Sequence, residues 1–138
     1  MALIEFKNLP DTSTPLSAEN LKNNFNELNN RGIYSTEEKI VGTWIDGKPM
    51  YRKVLSGTIT SGTNVVDSTI NSSVHRLVKV EGVTTYSDYT NQYSAPWYES
   101  STNYINFSLN VSGFRIHAGT DFANRIYNLV IYYTKTTD

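Results

Sequence analysis

The chain contains no cysteine, which excludes a disulfide framework and a thiolate metal site. No apolar run approaches the roughly 20 residues of a membrane-spanning helix, and the opening Met-Ala-Leu-Ile-Glu-Phe lacks the basic and apolar regions of a signal peptide. The formal net charge is −1, which gives no electrostatic attraction to nucleic acid or anionic lipid. We therefore expect a protein made in a cytoplasm, with no nucleic-acid partner and no membrane insertion.

Signatures of catalysis and cofactor binding are missing as well. His75 and His117 are the only histidines, and they do not stand at the spacing of metal ligands. The chain has no P-loop, no dinucleotide fingerprint and no nucleophile elbow. Several carboxylates could pair in space as those of a glycosidase do, although nothing in their spacing indicates it. We expect a protein that is not an enzyme and that holds no metal and no cofactor.

Strand and turn signals dominate the chain after residue 50. Clusters of Ser, Asn, Asp and Gly separate segments that are rich in β-branched and aromatic residues. Apolar residues on both faces of the last segment indicate a central strand or one covered at a subunit interface. Short strands at this spacing predict a mainly β protein, in which residues 34–138 form an antiparallel, jelly-roll-like β-sandwich. The predicted strands are Lys53–Ile59, His75–Thr85, Gln92–Tyr98, Tyr104–Leu109, Phe114–His117 and Ile126–Thr134.

A hairpin is predicted ahead of these strands, over residues 34–54. Asp46-Gly47 lies between two apolar runs and readily adopts the positive φ angles of a two-residue type I′ turn. Pro49 cannot donate to a strand ladder, so it belongs at the start of the second arm. We expect the ring of Trp44 to lie in the core beside the turn.

Residues 1–33 have a different character from the rest of the chain. An extended arm and a proline-bracketed linker precede a predicted helix over residues 18–30. Leu21, Phe25 and Leu28 form an apolar stripe on this helix, with the four-then-three spacing of a coiled-coil seam. A helix of about 13 residues is marginal in isolation, so the stripe needs a partner. Three copies of the helix could bury it around an axis, or the stripe could pack on the chain's own β-domain.

The chain contains the blocks Val41-Gly-Thr-Trp-Ile-Asp-Gly-Lys-Pro49 and Tyr133-Thr-Lys-Thr-Thr-Asp138. Together with five further blocks they span nearly the whole chain, and they resemble structural proteins of tailed bacteriophages. The resemblance implies a virion protein in the form of a short trimeric tail fibre or spike, with the arm residues Phe6, Leu9 and Pro10 attached to other virion proteins. A purely structural head-fibre, decoration or baseplate protein is the alternative. The matching blocks are Leu9-Pro-Asp-Thr-Ser-Thr-Pro15, Ala18-Glu-Asn-Leu21, Asn24-Phe-Asn26, Tyr34-Ser-Thr-Glu-Glu38, Val41-Gly-Thr-Trp-Ile-Asp-Gly-Lys-Pro49, Tyr51-Arg-Lys53 and Tyr133-Thr-Lys-Thr-Thr-Asp138.

Aromatic residues are concentrated between residues 86 and 104, among neutral and acidic hydrogen-bonding side chains. Sugar rings stack on aromatic faces while their hydroxyl groups take directional hydrogen bonds, so this composition suits a host-surface carbohydrate. The same rings could equally pack in the core or between subunits. A polysaccharide hydrolase is a third and weaker alternative. The candidate carbohydrate-binding residues are Trp97, Tyr98, Tyr93, Tyr89 and Asp88, with Arg115 and His117 as further hydrogen-bond donors.

Overall fold

The computed structural model describes residues 18–138, apart from the side chains of Glu27, Asn30 and Arg31. Within these residues the chain forms one α-helix, nine strands and a short 3-10 helix at Thr120–Phe122. In chain order, the main elements are α1 Ala18–Gly32, β1 Lys39–Thr43, β2 Pro49–Thr58, β3 Gly62–Asp67, β4 His75–Thr85, β5 Gln92–Ala95, β6 Trp97–Tyr98, β7 Tyr104–Asn110, β8 Gly113–Ala118 and β9 Ile126–Lys135.

The strands form two antiparallel sheets. The five-stranded sheet has the order β1-β2-β9-β4-β5, and the four-stranded sheet has the order β3-β8-β7-β6. Strand β9 pairs along nearly its whole length with β2 on one side and β4 on the other. The prediction of a mainly β chain with antiparallel pairing is therefore confirmed, and so is the central position of the last strand.

The core lies between the two sheets and follows the two-residue period of their strands. Leu129, Ile131 and Tyr133 point inward from β9, and Phe114 and Ile116 point inward from β8, all of them buried. Most of their neighbours in sequence are exposed or only half-buried. Because each sheet covers the inner face of the other, the sandwich buries its own apolar side chains.

Most strands lie where the sequence predicts them, and β4 has the predicted bounds. Strand β3 was missed, because Ser61-Gly62-Thr63-Asn64 was interpreted as a turn. The signal that could have revealed it is Val65-Val66, since Val66 packs against the core. The predicted strand Gln92–Tyr98 is divided at Pro96 into β5 and β6, which belong to different sheets. Proline has no N–H to donate, so the ladder ends there and the chain crosses between the sheets.

The β1–β2 hairpin is present, but the predicted two-residue type I′ turn is wrong. The backbone N–H of Trp44 donates to Lys48 O at 2.8 Å, and the N–H of Gly47 donates to Trp44 O at 2.9 Å. Of the two turn residues Asp46 and Gly47, only Gly47 has a positive φ, at 86°. The connection is therefore a three-residue loop that ends in a left-handed glycine. Pro49 begins β2 as predicted.

The prediction that Trp44 lies in the core is also wrong, because its side chain is 38% exposed. The three-residue loop places Trp44 opposite Lys48 as the closing pair of the hairpin rather than facing inward. Its ring lines a surface pocket of about 400 Å³ together with Lys48 and Arg76. Trp44 thus belongs to the surface at the tip of the five-stranded sheet.

Within the described residues helix α1 covers Ala18–Gly32, and it ends two residues past the predicted end. It lies beside β1, the edge strand of the five-stranded sheet. Arg52 holds the connection in place, since its buried guanidinium donates to Ile33 O and stacks 4.1 Å from the ring centroid of Tyr34. Val54 N–H also donates to Ser35 O at 2.8 Å. The segment that leaves the helix is therefore fixed on the sheet.

Candidate saccharide-binding face

An open pocket of about 530 Å³ lies at the edge of the four-stranded sheet. Strand β6 has only two residues, so the sheet edge beyond it exposes the middle of β7. Tyr98 is 75% exposed and stands opposite Tyr104, with 6.4 Å between the ring centroids. Exposed rings beside neutral polar groups are suited to stacking on a sugar. The pocket is lined by Pro96, Trp97, Tyr98, Tyr104, Ile105 and Asn106.

Trp97 belongs partly to this pocket and partly to the core. It stands opposite Ile105, which is fully buried, and is itself 36% exposed. Its ring makes an edge contact with Tyr93 at 5.6 Å between centroids, and Tyr93 makes a similar contact with Phe122 at 5.9 Å. Trp97 and Tyr93 therefore support the floor of the pocket, whereas Tyr98 is the ring most open to a ligand.

The outer surface of the four-stranded sheet continues from the pocket as a row of polar side chains. Asn106 on β7 stands opposite His117 on β8, which in turn stands opposite Thr63 on β3. His117 bonds through Nδ1 to Thr63 Oγ1 at 2.8 Å and through Nε2 to Ser108 Oγ at 2.6 Å. These bonds hold the imidazole flat along the sheet. We call the surface formed by Tyr98, Tyr104, Asn106, Ser108, Arg115, His117 and Thr63 the polar face.

Arg115 occupies the far end of the polar face, opposite Ser108. Among the described residues its guanidinium forms no salt bridge, and its Nε is buried without a hydrogen-bond partner. Glu99 follows Tyr98 in sequence, but its carboxylate accepts a hydrogen bond from Asn103 at 2.6 Å. Arg115 is thus a half-buried cation without a compensating anion.

The structure does not bring Asp88 and Tyr89 into the pocket. Both are exposed in the connection between β4 and β5, and neither lines the pocket. Hydrogen bonds from the Thr90 hydroxyl and backbone N–H to the carboxylate lower the pKa of Asp88. Tyr89 has a φ of 60° and lies at the turn of this connection. The predicted residues therefore separate into the polar face, its supporting rings and a distinct exposed loop.

Arg125 was not singled out from the sequence, yet it organises the rings beneath the pocket. Its side chain is 3% exposed, and its guanidinium lies 4.4 Å from the ring centroid of Tyr86, 4.7 Å from that of Tyr93 and 4.1 Å from that of Phe122. One nitrogen donates to Tyr86 Oη at 3.1 Å, and Nε and Nη1 have no hydrogen-bond partner. Cation–π contacts take the place of an ion pair here. No local sequence pattern predicts this cluster, because distant segments of the chain contribute its residues.

The hairpin block and the last block of the sequence meet in space. Lys48 Nζ donates to the backbone oxygens of Lys135, Thr136 and Asp138. Tyr51 donates to the Asp138 carboxylate at 2.7 Å. Two blocks that are far apart in the sequence are thus one structural unit at the end of the five-stranded sheet.

A second network in the same region joins β9 to the segment before β1. Tyr133 and Lys135 both bond to the carboxylate of Glu38 at 2.6 Å. Burial and the hydrogen bond to Glu38 raise the pKa of Tyr133. These hydrogen bonds hold the end of the five-stranded sheet together beside the surface pocket that Trp44 and Lys48 line.

The apolar stripe of helix α1 faces away from the sandwich. Leu21 is 37% exposed, Phe25 66% and Leu28 51%, and none of them packs against the core. Asn23 and Asn24, on another side of the helix, are half-buried. The predicted attachment residues Phe6, Leu9 and Pro10 lie outside the described residues.

Residues 18–138 offer neither a cluster of metal-binding side chains nor a membrane-spanning helix. This part of the chain holds no cluster of three or more His, Cys, Asp or Glu residues. Its helix is too short and too polar to span a membrane. The carboxylates considered for glycosidase chemistry bind different partners: Asp67 binds Lys53, Glu81 binds Lys79, and Asp121 binds Thr102.

Comparison of the chain with protein-family models, with characterised protein sequences and with solved structures gave no match.

Proposed function

We propose that this protein is a structural component of a tailed-bacteriophage virion, a short trimeric fibre or spike that recognises the host surface. The observation that carries the proposal is the orientation of the apolar stripe on helix α1. Leu21, Phe25 and Leu28 are exposed, although an amphipathic helix beside a folded domain normally buries its apolar side. Three such helices around an axis would bury the stripes against one another.

The attachment of the helix supports the same proposal. Arg52, Tyr34 and the backbone bond from Val54 to Ser35 fix the segment after the helix on the five-stranded sheet. A helix held in this way cannot turn its stripe inward without breaking these contacts. Its stripe is therefore available to identical helices, while the arm before it would attach to other virion proteins and the sandwich would project outward.

The strand order supports a finer class for the sandwich. Strand β9 lies between β2 and β4 in one sheet, and β8 lies beside β3 in the other. Chain crossings of this kind between two antiparallel sheets are typical of Greek-key and jelly-roll domains. We propose a jelly-roll-like variant whose outer strands, β5 and β6, are joined across Pro96.

Host recognition is proposed for the polar face and its pocket. Tyr98 offers an exposed ring, Tyr104 extends the aromatic surface, and Asn106 supplies an amide at the pocket wall. Stacking combined with neutral hydrogen-bonding groups suits a saccharide of the bacterial surface.

A glycan array probed with the purified chain tests recognition. The Tyr98→Ala variant should lose binding while its melting temperature stays unchanged, because the ring is 75% exposed. Val111→Ala is the matched control, since Val111 is 73% exposed in the connection between β7 and β8 and outside the pocket. Equal binding by both variants would reject the polar face as the recognition surface.

A purely structural head-fibre, decoration or baseplate role is the second candidate. It is favoured by the packing of Trp97 on Tyr93 and of Tyr93 on Phe122, which gives these rings a structural use. This role keeps the trimer and the arm but predicts no binding to any bacterial glycan. An array without signal, together with a trimeric mass, would select it.

A further inference from the structure

We propose that the saccharide recognised by the polar face carries an anionic group, a carboxylate or a phosphate, which binds to Arg115. This inference rests on the proposed recognition function and adds the chemical class of the ligand. It is carried by the charge distribution on the outer surface of the four-stranded sheet.

The polar face carries a fixed positive charge and no fixed negative charge. Its described residues are aromatic, amide, hydroxyl and imidazole groups, with Arg115 as the guanidinium. Asp67, on β3 of the same sheet, is buried and takes the ammonium of Lys53 at 2.7 Å, so it does not compensate Arg115. By contrast, Lys79 is paired with Glu81 and Lys135 with Glu38 on the five-stranded sheet.

Arg115 is also poorly satisfied as a hydrogen-bond donor. Its Nε is buried and has no hydrogen-bond partner, and the residue is only partly exposed to solvent. A guanidinium in this setting gains more from an anion than an exposed one does, because the local dielectric is lower and competing water is reduced. Its planar fork matches carboxylate and phosphate oxygens in a two-point contact.

The spacing of the polar face suits an oligosaccharide rather than a single sugar. Tyr104, Asn106 and Ser108 are alternate residues of β7, so the row extends over about 13 Å. Tyr98 and Tyr104 lie at one end, where a sugar ring can stack. Arg115 lies at the other end, opposite Ser108. A ligand that spans the row would place an uncharged ring on the tyrosines and its acidic group on Arg115.

The test compares matched ligands that differ only in charge. The probes are trigalacturonic acid, its methyl ester, and a glycosylated glycerol-phosphate oligomer with its neutral sugar as reference. We expect binding to one of the acids, at least about tenfold tighter than to its neutral counterpart, and weaker at high salt. Preference for the uronic acid identifies a carboxylate, and preference for the phosphate polymer identifies a phosphodiester.

Arg115→Gln should abolish the preference for the acid, so that acidic and neutral ligands bind the variant alike. Arg76→Gln is the matched control because it removes the same charge from an exposed arginine on the five-stranded sheet. Circular dichroism verifies that both variants are folded. Equal binding of acidic and neutral ligands would overturn this inference. If Tyr98→Ala still abolished that binding, the proposed recognition of the host surface would stand. Absence of binding to every glycan on the array would overturn both.

Discussion

Helix α1 and the β-sandwich distribute their apolar side chains in opposite ways. In the sandwich the inward-pointing side chains of β8 and β9 are large and apolar, and Phe114, Leu129 and Tyr133 are fully buried. On the helix, Phe25 and Leu28 are more than half exposed, while the asparagines Asn23 and Asn24 are half-buried. Apolar side chains are thus buried in the sandwich and exposed on the helix of the same chain.

The difference shows which part of the molecule can fold alone. A sandwich with a closed core meets the requirements of an independent domain, whereas a short helix with an exposed stripe is stable only against a partner. Contiguous exposed apolar surface of this kind marks an interaction site. The sandwich therefore explains stability, and the helix carries the surface through which we propose that the chain assembles.

The largest expected effect separates the two regions by stability. Phe114→Ala removes a fully buried ring and should lower the free energy of unfolding by about 3–5 kcal/mol. Phe25→Ala should change the unfolding of the dissociated chain by less than about 0.5 kcal/mol, because the ring is exposed. Tryptophan fluorescence in urea measures both, since Trp44 and Trp97 lie in the β-domain. Similar losses for the two variants would place Phe25 in the fold of the domain.

A smaller loss is expected from the ion pair that ties β2 to β3. Burial by itself would raise the pKa of Asp67, but hydrogen bonds from Lys53 and Thr69 outweigh it and lower the pKa. Asp67→Asn should cost about 2 kcal/mol, because Lys53 loses a charged partner. The stability that Asp67 contributes is present at pH values above the ordinary pKa of a carboxyl group. It is lost as the pH falls through the lowered pKa of Asp67 in the folded state. Urea unfolding at acidic and neutral pH should show the difference between variant and parent shrinking in acid.

Alkaline pH should weaken the sandwich through two tyrosines. Burial and the hydrogen bond to Asp138 raise the pKa of Tyr51 from 10.0 to about 12. Burial and the hydrogen bond to Glu38 also raise the pKa of Tyr133. The stability that these two tyrosines contribute is fully present at pH values below their pKa in the unfolded state. It is lost as the pH rises through their pKa in the folded state. Melting temperatures should therefore fall above about pH 10, and Tyr51→Phe should reduce that fall. Tyr98→Phe, an exposed control, should leave the pH dependence as in the parent.

A smaller loss of stability is expected at Trp44. The Trp44 ring lies at the tip of the hairpin and is 38% exposed. Trp44→Ala should therefore lower the free energy of unfolding by about 1 kcal/mol, less than the loss of a core ring does. The denaturant midpoints of Trp44→Ala, Phe114→Ala and the parent chain measure the stability that each variant loses. A loss equal to that of Phe114→Ala would show that Trp44 is part of the core.

The strands that the sequence revealed are those with a strong local pattern. Strand β4 and strand β9 have long runs of β-branched and aromatic residues, and their bounds follow from these runs. Strand β3 is rich in residues that also form turns, and it pairs on one side only, so its local pattern was weak. The turn at Asp46-Gly47 was misassigned because both the two-residue and the three-residue loop accept this pair.

The candidate site was predicted less completely than the fold, because it is made by pairing between strands. The exposed position of Tyr98 follows from its nearness to Pro96, which ends the strand. The alignment of His117 with Ser108 and Thr63 depends on the register of three strands, and the sequence does not reveal register. The burial of Arg125 among three rings joins segments more than 30 residues apart, since its bonded partner Tyr86 is 39 positions away.

Sedimentation equilibrium of the purified chain at micromolar concentration tests the central claim most directly. The account predicts a mass of three times 15.6 kDa for the parent chain. Phe25→Asp should reduce it to 15.6 kDa with the sandwich still folded, whereas Val111→Asp, an exposed apolar control, should remain trimeric. A parent chain that is monomeric, or a Phe25→Asp variant that is still a trimer, would contradict assembly through helix α1.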